Sequence, residues 1–391
     1  MRRNRGTVLN IKIEKNKRVY KVVISLVFLM FIGGMALTNI LKKDTLVSEQ
    51  ENRNLQQRPA FSVENLINGN FNKEYTSYIS DQFPMRNMWI ELKANLELAI
   101  GKKEINNVYL SKDNSLIEGF KEEPLEDTEE KADVLNKFAS KYDKLNISLM
   151  LVPTTSEIYK EKLPDYAPVD DENKFISEFS SKLNQKIKLI DVSEKLKENK
   201  DEYIYYKTDH HWTSKGAYIA YNEMCKQLNI VPKEEKDFDI EDVTNNFYGS
   251  LYTKMAAGVG NPDTISIYFP KEKNDIVVNY PDEQKKVASL YSSAKLDEKD
   301  KYQVFTDGNH PLINVKSLGD SKKKLLIIKD SYANSFIPFL TPHYGEIDVV
   351  DLRYYMDDLN ELIDVDEITD VLFLFNVNTF NEDKSILNLE G

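Results

Sequence analysis

Over most of its length this chain alternates apolar runs of strand length with amphipathic stretches of helix length, and that rhythm restricts it to few folds. Residues 129–144 read as an amphipathic helix and residues 147–152 as an apolar strand ending at Pro153-Thr154-Thr155. Helix 175–184, strand 187–192, a short strand 203–206 and helix 214–228 follow, with Ser214 the expected cap of the last. The rhythm returns with strand 325–328, a helix from Asn334, strand 347–352, a helix near 357–363 and strand 371–377. Strands separated by helices predict an α/β fold: a mostly parallel sheet flanked by helices, with active residues gathered where strands end. Between about residues 231 and 315 the rhythm gives way to short alternating runs and a turn at Gly258-Val259-Gly260-Asn261-Pro262, which predicts a β-rich insertion.

Ahead of this body, residues 22–41 form an uncharged, mostly apolar run of the ~20 residues a bilayer-spanning helix needs. Eight basic side chains precede it against Glu14 alone, and only Lys42 and Lys43 follow at once. The positive-inside rule then predicts a cytoplasmic segment 1–21, a transmembrane anchor 22–41, a linker 42–60 and an extracytoplasmic domain 61–391. Gly33, Gly34 and Ala36 supply the small residues of a cleavable signal peptide, but the long charged lead favours an uncleaved anchor. The chain has a net charge of −12 even with that basic lead included, so nucleic acid is not an expected partner. Cys225, the only cysteine, lies at helical spacing from Tyr218, Tyr221 and Leu228 and reads as a core residue.

The run Thr208-Asp209-His210-His211-Trp212-Thr213 concentrates two of the four histidines and one of the two tryptophans. An Asp two residues before a His can hold one ring nitrogen while the other faces a nucleophile, which suits Asp209 and His211. The nucleophile must come from elsewhere. Ser331 fits, because strand 325–328 runs through Lys329-Asp330 into a turn that would expose Oγ beside free N–H groups. Ser335, one helical turn on, would lie inside the helix with a less exposed hydroxyl. His210 and Trp212 are candidate substrate-binding residues, packing being the simpler role for Trp212. Asp209, His210 and His211, completed by His310 or His343, would make a poor chelate because adjacent side chains on an extended loop diverge, so neither metal nor cofactor is expected. A polar cluster that merely fixes a loop is the plain alternative. His310 reads as structural in its turn, His343 as a surface residue, and Arg86 after Pro84 as a surface or ion-pair residue.

The Asp209-His210-His211-Trp212 run with its threonine flanks, together with Asp330-Ser331, resembles the DHHW family within the SGNH hydrolase-like proteins of the alginate O-acetylation group. Residues 48–53, 81–86 and 247–252 carry further likeness. The resemblance implies an SGNH hydrolase-like fold with a circularly permuted motif order, the Asp-His pair preceding the Ser. It also implies acetyl transfer to a surface-polysaccharide hydroxyl, with Ser331 as nucleophile, His211 as base and Asp209 orienting it, and a membrane-bound O-acyltransferase partner that delivers the acyl group across the bilayer. A polysaccharide acetylesterase would use the same acyl-enzyme, and a non-catalytic glycan-binding or scaffold protein of the envelope is the reading from a different class. No SGNH-style glycine block or Gly-x-Asn-Asp run is present, so the oxyanion donors stay open. The Ser331 N–H is the first, Asn376 or Asn378 at the end of strand 371–377 the second, and Asn334 the rival.

Overall fold

A computed structural model describes residues 3–48, 53–272 and 275–390; residues 49–52, part of the expected linker and of one resembling stretch, lie outside them. The chain divides into two compact units, Met1–Lys93 and Ala94–Gly391.

In the first unit helix α1 (Arg3–Leu41) contains a segment, Lys17–Leu41, long and apolar enough to cross a membrane and not buried by the rest of the protein. Strands β1 (Val47–Ser48) and β2 (Arg53–Asn54) pair antiparallel, and helices α2 (Val63–Ile67) and α3 (Asn70–Asp81) follow. Helix α4 (Arg86–Ala99) begins in this unit and ends in the next. Within the described part of the expected linker, Val47 and Ser48 pair with Asn54 and Arg53. Asp81 receives Nη1 and Nη2 of Arg53 at 3.0 and 2.6 Å and the Gln56 N–H at 2.8 Å, and Arg86 lies 3.8 Å away. The Arg53 hydrogen bonds, against the cost of burial, hold the Asp81 carboxyl down at about 2.

The second unit opens with a small antiparallel sheet, β3 (Glu104–Ile105), β4 (Val108–Leu110) and β5 (Leu116–Glu118), and then enters the α/β rhythm. Helix α5 (Leu125–Lys141), strand β6 (Asn146–Val152), helices α6 (Thr155–Ile158) and α7 (Glu172–Ser181), strand β7 (Ile187–Leu189) and helices α8 (Ser193–Glu198) and α9 (Ser214–Leu228) come in order. The cap of α9 is Thr213, whose hydroxyl accepts from the Gly216 N–H, and not Ser214, which is already helical. Residues 203–206 contribute only an isolated bridge, Tyr205 to Trp212, instead of a strand.

The region read as an insertion splits into two parts. Strands β8 (Phe238–Phe247) and β9 (Asp263–Pro270), joined through α10 (Ser250–Met255), form a separate ribbon. Strands β10 (Val277–Tyr280), β11 (Lys285–Val287) and β12 (Leu312–Lys316) instead extend the main sheet antiparallel. With β13 (Lys324–Lys329), β14 (Glu346–Val350) and β15 (Asp370–Asn376) the sheet runs β11-β10-β12-β14-β13-β15-β6-β7, parallel from β14 to β7. Two short helices, α11 (Leu359–Leu362) and α12 (Val377–Glu382), complete the unit.

Both faces of the sheet are buried, as a parallel sheet requires. Met150, Val152, Ile327, Val349 and Leu374 point to one side and pack with Tyr221, Met224 and Cys225 of α9. Leu149, Leu151, Ile328, Val350 and Phe373 point to the other, against Leu135 and Phe138 of α5 and Phe179 of α7. Because β6, β13, β14 and β15 run parallel, their C-terminal ends, at Thr154, Asp330, Asp351 and Asn376, lie along one edge.

Candidate active site

The sharp end of β13 presents Ser331. The chain does not continue as the expected helix from Asn334; it makes two 3₁₀ turns, Ser331–Ser335 and Ile337–Phe339, with Pro338 in the second. Pro338 has no N–H to give the Asn334 carbonyl four positions back and its ring crowds that oxygen, so a regular α-helix from Asn334 is not continued. Asp330 caps the first turn through the Tyr332 N–H at 2.9 Å. The Ser331 N–H stands at the start of the turn, where helical backbone leaves donors unused.

The Asp-His loop reaches this serine from another part of the sequence. His211 Nε2 lies 2.8 Å from Ser331 Oγ, and His211 Nδ1 lies 2.5 Å from Asp209 Oδ1. Asp209 is fixed in turn: Oδ1 accepts the His211 N–H at 3.0 Å and Oδ2 the Ser250 N–H at 2.7 Å. The approach of Ser250 depends on Gly249, since a Cβ there would sit 2.2 Å from Asp209 Cβ and 2.3 Å from Oδ2. Asp263, the first residue of β9, pins the loop by accepting the Lys207 N–H at 2.8 Å, the Thr208 N–H at 2.8 Å and the Thr208 hydroxyl at 2.5 Å. The ribbon thus holds the loop from behind.

Electrostatics suit a neutral base beside an ionised carboxylate. Burial opposes ionisation of Asp209, but the His211 and His210 imidazoles and the hydrogen bonds from His211 and the Ser250 N–H outweigh it, holding the carboxyl far below its usual range. Burial, reinforced by the neighbouring His210, pulls His211 down to about 4 in spite of Asp209. At neutral pH its Nε2 can accept a proton from Ser331. A flat aromatic wall completes the pair: the Tyr302 ring stacks on His211 with centroids 3.6 Å apart and planes 9° apart, while its hydroxyl donates to the Ser331 carbonyl and to Ser335 Oγ, both at 3.1 Å.

The other expected site residues are placed as follows. His210 lies over His211 at 3.8 Å between ring centroids, with its side chain 31% exposed and Nδ1 2.5 Å from Ser250 Oγ. Trp212 is fully buried against Tyr332 and Phe336 and donates to the Tyr332 carbonyl at 3.0 Å, so its ring is not open to a substrate. Ser335 is buried, its hydroxyl donating to the Tyr332 carbonyl and accepting from Tyr302, and among the described residues no histidine is hydrogen-bonded to it. Asn376 spends its amide inside the fold: Nδ2 donates to Asp330 Oδ2 at 2.7 Å and to Thr379 Oγ1 at 2.8 Å. Asn334 is likewise occupied, accepting from Lys329 at 2.9 Å and donating to Asn309 at 3.0 Å. Asn378, 8% exposed at the start of α12, has no side-chain partner among the described residues. His343 is not a free surface residue, since its Nε2 meets the Tyr221 hydroxyl at 2.6 Å, and His310 is buried with Nδ1 3.2 Å from Glu283.

Asp209, His210 and His211 bring one possible metal-ligand atom each within 4.8 Å of one another, as do Asp282, Glu283 and His310. In the first group both ring nitrogens of His211 are already engaged, one by Asp209 and one by Ser331. Sequence reasoning missed Tyr302, Gly249, Asp263 and the role of Asp330. Only Gly249 carried a local signal, a glycine beside Ser250 within residues 247–252.

A model of the DHHW protein family matches residues 109–350. Among solved structures the chain is similar to a DHHW family protein from Eubacterium siraeum, with 24% identity, TM-score 0.63, and coverage of 73% of this chain and 96% of that one. It is similar also to PatB1 from Bacillus cereus, solved with a sulfonyl adduct, with 20% identity, TM-score 0.61, and coverage of 72% and 97%. The O-acetyltransferase domain of Pseudomonas putida AlgJ is a more distant likeness, with 15% identity, TM-score 0.46, and coverage of 71% and 93%. No curated protein matches the chain. Two of these structures share the sheet and its helices over most of their length, and the family model spans more than half of the chain, including Asp209-His210-His211-Trp212: the protein belongs to the DHHW family.

Proposed function

We propose that this chain is a membrane-anchored extracytoplasmic O-acyltransferase that passes an acyl group, acetyl by the family resemblance, to a polysaccharide hydroxyl through an acyl-Ser331. The observation that carries this reading is the unbroken hydrogen-bonded line from Asp209 through His211 to Ser331. His211 Nε2 takes the Ser331 proton as Oγ bonds to the acyl carbon, then returns that proton to the departing oxygen of the donor. In the second half the acceptor hydroxyl gives its proton to His211, its oxygen bonds to the acyl carbon, and Ser331 Oγ leaves with the proton. Asp209 holds the Nδ1 tautomer and stabilises the imidazolium formed on the way. Oxyanion donors are the Ser331 N–H and the Asn378 amide. α1 supports anchoring with the basic lead on the cytoplasmic side, and a membrane-bound O-acyltransferase is the partner that would bring the acyl group to this side.

The test is covalent and kinetic. The wild type should be labelled at Ser331 by a serine-directed phosphonate and should turn over a small acetyl ester, with product partitioning from water to a sugar hydroxyl as acceptor is added. Ser331→Ala that keeps wild-type turnover would sink the reading. Labelling without any partitioning to acceptor would favour the esterase.

A further inference from the structure

One strand away from Ser331, the same sheet edge carries a charge arrangement that acyl transfer does not use. Asp351, just past β14, is fully buried and receives Lys329 Nζ at 3.2 Å. It also receives Arg353 Nε at 2.8 Å and Nη2 at 2.7 Å. Lys329 has no exposed side-chain surface and is held further by the side-chain oxygens of Asn309 at 3.1 Å and Asn334 at 2.9 Å. Lys329 and Arg353 thus both engage Asp351, and the buried Asp330 carboxyl also acts on each of them.

Arg353 is the outer of the two. Its side chain is 24% exposed, and among the described residues no acceptor takes Nη1. Asp351 grips the guanidinium along the Nε–Nη2 side, which fixes its plane and leaves the Nη1–Nη2 end open in the fork geometry that carboxylates and phosphates fill with two parallel hydrogen bonds. The end of β14 lies beside the end of β13, where Ile328 pairs with Val350, so this open fork stands on the Ser331 edge. Its charge reaches the site, lowering the proton affinity of both His211 and Asp330. In a chain of net charge −12, a cation held in place with an open end, on the sheet edge that carries Ser331, can anchor a negatively charged acceptor.

We propose that the open edge of Arg353 binds an oxyanion, carboxylate or phosphate, of the acceptor polymer and thereby selects the hydroxyl presented to Ser331, making the substrate class an anionic glycan. This rests on the reading of the site as an acyl-transfer centre, but its test does not require turnover. The full chain in detergent micelles at low salt would be titrated calorimetrically with a trigalacturonate, with sn-glycerol 3-phosphate and with a neutral galactose trisaccharide. At least one charged probe should bind about tenfold or more tighter than the neutral one, weaken as salt rises, and fall to the neutral level in Arg353→Gln. The preferred probe tells a uronate from a phosphate polymer.

Arg353→Lys, which keeps the charge but not the fork, should cut the charged-to-neutral ratio by about threefold or more, and it decides the matter if Arg353→Gln loses its melting transition. Equal binding of charged and neutral probes, no binding of either charged probe, or an undiminished ratio in a folded variant overturns the proposal. Because binding is read without chemistry, an unreactive Ser331 would remove the acyl-transfer reading and leave the anion site standing, and the reverse outcome would do the opposite.

Discussion

Tyr302 lies flat on His211, 3.6 Å between ring centroids, and ties its hydroxyl to the backbone of the serine that His211 faces. One side chain therefore sets both the plane of the base and the position of the nucleophile. Tyr302→Leu should lower turnover of an acetyl ester about tenfold or more, since a shift of about 1 Å in a reacting group can cost about 10²-fold. Tyr302→Phe keeps the stack, worth about 0.5–1.5 kcal/mol, and should lose less. Wild-type turnover in the leucine variant would reduce Tyr302 to packing.

The acid limb of the pH profile should sit unusually low. His211 works as a base only when neutral, and burial, reinforced by the neighbouring His210, holds it at about 4. The kcat/KM for ester turnover should thus stay level through neutrality and fall only as the pH drops through about 4. His210→Gln removes the imidazole that lowers the His211 proton affinity, and so moves the limb toward neutral pH. A wild-type limb near the ordinary histidine value of about 6.5, or a limb that the substitution leaves in place, would contradict this account.

Gly249 gives a prediction of a steric kind. Its backbone is ordinary, but an added Cβ would fall 2.2 Å from Asp209 Cβ, and the neighbouring Ser250 N–H is what holds Asp209 Oδ2. Gly249→Ala must displace either the aspartate or the loop. Overpacking of this sort costs about 1–3 kcal/mol, and the displaced carboxylate should reduce turnover by about 10²-fold while thermal unfolding shows the stability loss. Unchanged turnover would mean that the loop yields without moving Asp209.

The parallel sheet was legible because residues 147–152, 325–328 and 371–377 are apolar almost throughout, and only burial on both faces rewards that pattern. The segment after Ser331 misled because its composition favours a helix while Pro338 ends one before it can form. Residues 277–287 and 312–316 read as an insertion because their short alternation matches a ribbon as well as a sheet edge, and local pattern cannot tell which partner a strand will find. Asp209, His211 and Ser331 stood out by residue type and spacing alone. Tyr302 did not, because a tyrosine among 22 has no local mark of the histidine it will cover, 91 positions earlier in the chain.

Asn376 and Asn378 differ by two positions and should behave differently on substitution. The Asn376 amide joins β15 to the turn that carries Ser331: its N–H and Nδ2 both reach Asp330 Oδ2, at 2.8 and 2.7 Å. Burial has already pushed the Asp330 carboxyl up to about 6 against the hydrogen bonds that favour its charge, so losing a donor leaves a buried carboxylate poorly served. Asn376→Ala should therefore lose stability, by about 1–3 kcal/mol, along with activity. Asn378 has no such duty, and its amide can aim at the charge that develops on an acyl oxygen. Asn378→Ala should cut turnover by about 10²-fold, the cost of one oxyanion donor, with the melting temperature held within a few degrees. Ester kinetics and thermal unfolding on the two variants side by side decide the matter. If Asn378→Ala keeps full rate, the second donor lies elsewhere on the sheet edge, and if Asn376→Ala melts with the wild type, Asp330 does not depend on it.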